Sequence, residues 1–194
     1  MMSRPNRFTV TGRREARWAA LGARRLPGTG LWMHAWLRVG GSLTRSVIAC
    51  CEDRFWVDIV SQRRGRALPS EEGLLGSGSP QATLVREVKL FCGDEAWVFA
   101  RTLIPMANLR GPVNVLTRLG RRPLGEVLFS DPTTRRLAVE VARITPRHSL
   151  YASASAHLRG LPPALWGRRT LFEYCGERLL VNEIFLPQIP ELCR

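Results

Sequence analysis

Arg86 and Glu183 are the two residues whose setting asks for chemistry. Arg86 lies in an alternating run, LVREVKLFC over 84–92. Period two sends Leu84, Arg86, Val88, Leu90 and Cys92 to one face, and Val85, Glu87, Lys89 and Phe91 to the other. The first set is the more apolar, yet it contains a guanidinium, which needs an anionic partner from the protein or from a ligand. Glu183 repeats the pattern near the far end of the chain, where it shares a strand face with Leu179, Val181 and Phe185. A carboxylate among such neighbours must be paired or hydrogen-bonded. Two readings stay open on periodicity alone. The two charges form a structural salt bridge, or they are the poles of a small cavity. In the second reading Arg86 holds a ligand carboxylate, while Glu183 meets a hydroxyl or takes a proton.

Other candidates are weaker. His34, His148 and His157 are far apart and show no HxxxH or HxH spacing, so no metal site is expected. There is no Gly-x-Ser-x-Gly elbow, and the glycines of 73–78 do not open a helix after a strand as a phosphate cradle would. Arg101 shares a strand face with Trp97, Phe99 and Leu103, which suits stacking or a structural ion pair better than catalysis.

The elements that must position Arg86 and Glu183 follow from the same patterns. The segment 84–105 reads as a hairpin turning at Gly93-Asp94-Glu95, ended by Pro105. The segment 166–187 reads as a second hairpin turning at Gly176-Glu177. Strands are also expected over 54–62 and 135–144. A short helix over 31–39 precedes one capped by Ser42, with Leu43, Val47, Ile48 and Cys51 on its stripe. Short helices suit 113–119 and 124–129, the latter started by Pro123. The segments 63–82 and 145–163 read as long connections rich in Pro, Gly, Ser or Ala. Residues 1–30 hold seven arginines and read as a mobile arm with a short helical piece at 14–21, leaving 31–194 as a single domain. The sum is an α+β fold, one antiparallel sheet of about six strands with helices packed on one side.

Composition narrows the classes. The 194 residues give a net charge of +13, with Lys89 the only lysine. Scattered arginine pairs read as a solvated surface rather than a phosphate-gripping cluster, so no nucleic-acid partner is expected. The basic arm would give weak attraction to an anionic membrane surface. The five cysteines include one adjacent pair and no CxxC, which argues for buried thiols rather than disulfides or zinc. No signal peptide or membrane span is apparent, so the expected compartment is the cytoplasm.

Several segments taken together resemble the chorismate lyase family. They are Leu84–Val88, Ala100-Arg101-Thr102-Leu103-Ile104-Pro105, Arg122-Pro123-Leu124-Gly125, Leu165-Trp166-Gly167-Arg168-Arg169 and Asn182–Pro187. The resemblance runs from about residue 31 to residue 187. It implies a compact antiparallel α+β domain that converts chorismate to 4-hydroxybenzoate and pyruvate on the way to ubiquinone, without metal or cofactor. It also implies roles for four residues. Arg86 is the substrate arginine, the backbone of Leu124 meets the ligand carboxylate, and Glu183 is the acidic residue at the ligand hydroxyl. Leu43 takes the place of a methionine that contacts substrate, a swap that keeps volume. The expected covers of the site are 63–82 and 106–131, and the expected state is a monomer. The competing reading is a non-catalytic sensor of an aromatic acid on the same general fold.

Overall fold

The alternating runs do form strands, and all pair antiparallel. A computed structural model describes residues 14–22, 27–76, 81–156, 158 and 160–193. Seven strands build one sheet: β1 (Ala19–Ala20), β2 (Phe55–Arg66), β3 (Ala82–Cys92), β4 (Glu95–Pro105), β5 (Arg135–Ile144), β6 (Leu165–Tyr174) and β7 (Glu177–Phe185). Their spatial order is β1-β5-β6-β7-β4-β3-β2, so the last strand lies in the middle of the sheet. The β3–β4 hairpin turns over Gly93-Asp94, with Cys92 opposite Glu95 and Gly93 at φ 55°. The β6–β7 hairpin turns over Cys175-Gly176, both at positive φ, a two-residue geometry that matches strand twist.

One face of the sheet is covered by α1 (Leu31–Leu37), α2 (Leu43–Cys50), a 3-10 stretch at Gly111–Arg118 and α4 (Leu124–Ser130). The Ser42 hydroxyl accepts from the Arg45 N–H at the start of α2. The buried stripe of α2 is Leu43, Val47 and Cys50, at helical spacing, while Ile48 is exposed. The other face is covered by α3 (Pro69–Leu75) and α5 (Ser149–Ser155), so helices lie on both sides rather than on one. These two helices fall inside the stretches expected to be loops, and β2 runs on to Arg66. The signals were local. Pro69 opens α3, Glu71 and Glu72 fill its first turn, and Gly76 ends it in the left-handed conformation. In α5, Leu150, Tyr151 and Ala154 make the buried stripe.

The second face is unusual for its buried charge. Arg101 pairs with Glu71 at 3.3 Å and with Glu87 at 2.9 Å, the ion pair expected for it. Asn182 Nδ2 donates to Glu71 at 2.9 Å, and Arg169 pairs with Glu140 at 2.6 Å. Residues 14–22 close this side in extended form, not as a helix. Ala19 lies opposite Val141, Glu15 accepts from the Ser70 N–H, and the Trp18 ring lies 4.7 Å from the Arg169 guanidinium carbon. The rest of the expected arm, 1–13 and 23–26, lies outside the described residues, as does His157.

The cysteines correct a sequence expectation. Cys50 is bonded to Cys193 and Cys51 to Cys92, with Cα separations of 5.4 and 5.6 Å. Two adjacent cysteines at the end of α2 reach two partners distant in sequence, which spacing could not reveal. The inference of a reducing compartment from free thiols therefore loses its basis. No helix among the described residues is long and apolar enough to cross a membrane.

His148, at the start of α5, supplies a pH dependence. Its Nδ1 accepts from the Thr145 N–H at 2.9 Å, and burial pushes its pKa below the ordinary value. The folded chain thus binds this proton more weakly than the unfolded chain. Stability from this group is present above about pH 6.5 and is lost as pH falls below it. The melting temperature should drop slightly between pH 7.5 and 5.5, and His148→Asn should flatten that part of the slope. An unchanged slope in the variant would assign it to other groups.

Candidate active site

Strand register excludes a direct pair between Arg86 and Glu183. Arg86 on β3 lies opposite Thr102 on β4, which lies opposite Val181 on β7. Glu183 is two residues beyond Val181 on the same face, opposite Ala100. The two backbones are therefore separated by two strand spacings and one step along the strand, roughly 12 Å. Between them the floor is made of Ala100 and Thr102, small residues that leave room. Above it lies a cavity whose empty space, open mouth included, is about 610 Å³.

All four residues named above, Leu43, Arg86, Leu124 and Glu183, line this cavity. Helix α2 contributes Leu43 and Thr44, and α4 contributes Leu124, Gly125, Leu128 and Phe129. The β6 ring of Phe172 meets Phe129 edge-on, with centroids 6.0 Å apart. The walls are thus aliphatic and aromatic, with Arg86, Glu183, Thr44 and Thr102 as the polar points. Of the two expected covers, 106–131 alone supplies cavity residues among the described residues. The described part of 63–82 completes β2 and forms α3 on the opposite face.

Arg86 is 4% exposed. Its Nη1 donates to Gln62 Oε1 at 2.9 Å and its Nη2 to the Gly120 carbonyl at 2.7 Å. Among the described residues it has no carboxylate partner, and burial lowers its pKa without an acidic neighbour to offset this. Gly120 sits at φ 55°, a backbone conformation that presents its carbonyl to Arg86 and favours glycine.

Glu183 is paired, but not with Arg86. Its Oε2 accepts from Arg168 Nε at 2.7 Å, and Arg168 Nη1 donates to the Val39 carbonyl at 2.8 Å. Arg168 escaped sequence reasoning because of the turn. Counting from Cys175-Gly176 places Arg168 opposite Glu183, whereas a turn at Gly176-Glu177 places Thr170 there. A one-residue error in the turn moves the register by two. Gln62 and Gly120 were missed because nothing in sequence links an edge strand to a helical insertion.

Fold and cavity together define a class: small antiparallel α+β domains with a cavity between the sheet and the helices on one face. A family model described as chorismate lyase matches residues 15–192. The chain belongs to the chorismate lyase family. Relatives named "Probable chorismate pyruvate-lyase" include one from Thiobacillus denitrificans, 41% identical over 157 residues, covering 81% of this chain and 83% of that protein. One from Aromatoleum aromaticum is 41% identical over 162 residues, covering 82% and 87%. Similar solved structures include a GntR-family transcriptional regulator from Bacillus cereus, with a TM-score of 0.51, 12% identity and coverage of 72% and 96%. A gene product from Staphylococcus aureus has a TM-score of 0.54, 10% identity and coverage of 79% and 93%. At such identities the likeness is one of fold alone.

Proposed function

We propose that this chain is a chorismate pyruvate-lyase that releases pyruvate and 4-hydroxybenzoate, the latter a ring precursor for ubiquinone. The observation that carries this reading is Arg86, a buried guanidinium at a cavity wall with two neutral acceptors and, among the described residues, no carboxylate partner. A ring carboxylate would complete it bidentately. The Leu124 N–H, in the first turn of α4, is the second donor for that carboxylate. Glu183, held by Arg168, accepts from the C4 hydroxyl across the ring. Family membership favours this reading over the sensor, for which the fold likeness alone would speak.

The chemistry balances within the substrate. The bond between ring C3 and the ether oxygen breaks, and its electrons become the pyruvate carbonyl. The enol methylene takes the hydrogen from C4, and the C4–H electrons close the third ring double bond. What the protein supplies is placement in a dry cavity, and orientation of this kind is worth about 7–11 kcal/mol of barrier. By accepting from the C4 hydroxyl, Glu183 holds the ring in place, and the substrate's own configuration sets the C4 hydrogen on the same face as the enolpyruvyl ether. The test is to add chorismate and follow 4-hydroxybenzoate and pyruvate together. Equimolar appearance of both is expected, and appearance of neither would remove the proposal.

Gly125 offers a further check on the site. A Cβ at this position would lie 2.9 Å from Ser42 Oγ and 3.1 Å from Thr44 Oγ1, so it would have to displace these hydroxyls or part α4 from α2. Gly125→Ala should push α4 off α2 and disturb the Leu124 N–H. Affinity for 4-hydroxybenzoate should fall about tenfold, equal to ~1.4 kcal/mol, measured by calorimetry. Wild-type affinity in the variant would show that the two helices tolerate separation.

A further inference from the structure

Glu183 is held from behind by one of its two oxygens. Its cross-strand neighbours are Arg168 on β6 and Ala100 on β4, and Ala100 has no polar side chain to offer. Arg168 Nε donates to Oε2 at 2.7 Å, while Oε1 takes no hydrogen bond among the described residues. Glu183 lines the cavity, whereas Arg168 stands behind it. The two side chains are 14% and 3% exposed, so solvent screens the pair little.

The pairing is one-sided. A guanidinium that only neutralises a carboxylate commonly takes both oxygens with its fork. Here the fork is divided. Its Nε goes to Glu183, and its Nη1 donates to the Val39 carbonyl at 2.8 Å. Val39 follows α1, and residues 40–42 lead from it into α2, which Ser42 caps. Leu43 and Thr44, in the first turn of α2, belong to the helical wall of the cavity. One planar group therefore fixes Glu183 and the approach to α2 relative to each other. If Glu183 rotated, the guanidinium could follow only by releasing Val39.

Building on the lyase reading, we infer that Arg168 is a positioning residue, which by engaging Oε2 of Glu183 aims Oε1 into the cavity at the ligand hydroxyl. Arg168 does not itself touch the ligand. Its effect passes through Glu183, so a ligand without that hydroxyl does not feel it. The tie to Val39 is what makes the aim rigid, because a planar fork with two fixed acceptors has one orientation. A lysine would keep the charge, but its ammonium is a point on a flexible stem and does not fix a plane.

The test is calorimetry on the full chain with 4-hydroxybenzoate and benzoate, which differ only in the hydroxyl. Arg168→Met removes both donors at similar length. It should lose about tenfold for 4-hydroxybenzoate, the lower end of what a hydrogen bond to a charged group contributes, and less than about twofold for benzoate. Made together with E183Q, the same substitution should cost less than about twofold for either ligand, since the group it acts through is gone. Equal losses for both ligands, or the same loss with and without Glu183, would make Arg168 an anchor of the 39–42 link and overturn the inference. Unchanged affinity for both ligands in Arg168→Met would overturn it as well. Should Arg168→Met not fold, Arg168→Lys decides, because it keeps the charge and loses the fork. It should lose at least about threefold for 4-hydroxybenzoate and less than about twofold for benzoate, and a smaller loss for the first or an equal loss for both overturns the inference. Wild-type turnover of chorismate is scored separately. No turnover with this pattern intact removes the lyase reading alone, and turnover without the pattern removes this inference alone.

Discussion

Arg86→Met protein should bind neither chorismate nor 4-hydroxybenzoate at concentrations that saturate the wild type, and should melt at the same temperature or slightly higher. The two halves of this expectation have one cause. Arg86 is buried, desolvated and without a carboxylate partner among the described residues. In the ligand-free chain it contributes two hydrogen bonds, to Gln62 Oε1 and the Gly120 carbonyl, each worth about 1 kcal/mol net. Against these stands the desolvation of a charge, which effectively costs several kcal/mol. A methionine of similar length removes that penalty, so stability should hold or rise. Binding should suffer, because a carboxylate would then enter an apolar pocket unpaired. Losing one partner of a buried charge-assisted pair costs about 2–5 kcal/mol, or roughly thirty- to several-thousandfold in affinity. Arg86→Lys should recover only part of this, since lysine keeps the charge but not the planar fork. Calorimetry for binding and thermal melting for stability decide it. A variant that melts much lower yet still binds would make Arg86 a structural residue.

Glu71→Ala should show the converse, a large loss of stability with little change at the cavity. The Glu71 side chain is 2% exposed and accepts from Arg101, Asn182 and the Leu68 N–H. Removing it leaves Arg101 with Glu87 alone and uncaps α3. Breaking a buried ionic network from one side costs about 3–5 kcal/mol. For a chain of this size that is a fall of about 6–20 °C in melting temperature. The network lies on the sheet face opposite the cavity, so affinity for 4-hydroxybenzoate in the folded protein should stay within about twofold. Unchanged melting would show that water replaces Glu71 freely. A loss of affinity at unchanged melting would show coupling through the sheet.

These two variants separate what could be read from the chain from what could not. The inward faces of Arg86 and Glu183 were legible because alternation in a strand is local geometry. So were both hairpins, the Ser42-capped helix and the helix begun by Pro123, whose signals lie within a few residues of each element. The second face was not legible. Glu71, Glu87, Arg169 and Glu140 look like solvent-facing charges in sequence; the first two instead pair with Arg101, and the last two with each other. The stretches holding α3 and α5 read as loops because seven-residue helices have too little periodicity to outweigh flanking Pro, Gly and Ser.

By itself the sequence determined the α+β class, the antiparallel sheet and the two inward charges that needed explaining. Only the tertiary structure decided which charges meet. Arg86 and Glu183 do not pair, because register places them two strands and one step apart. Glu183 goes to Arg168, and Arg86 donates to neutral acceptors among the described residues. Side-chain direction follows from bonds within a few residues, whereas ion pairing depends on register and on contacts across the sheet. A one-residue change in a turn is enough to exchange one partner for another.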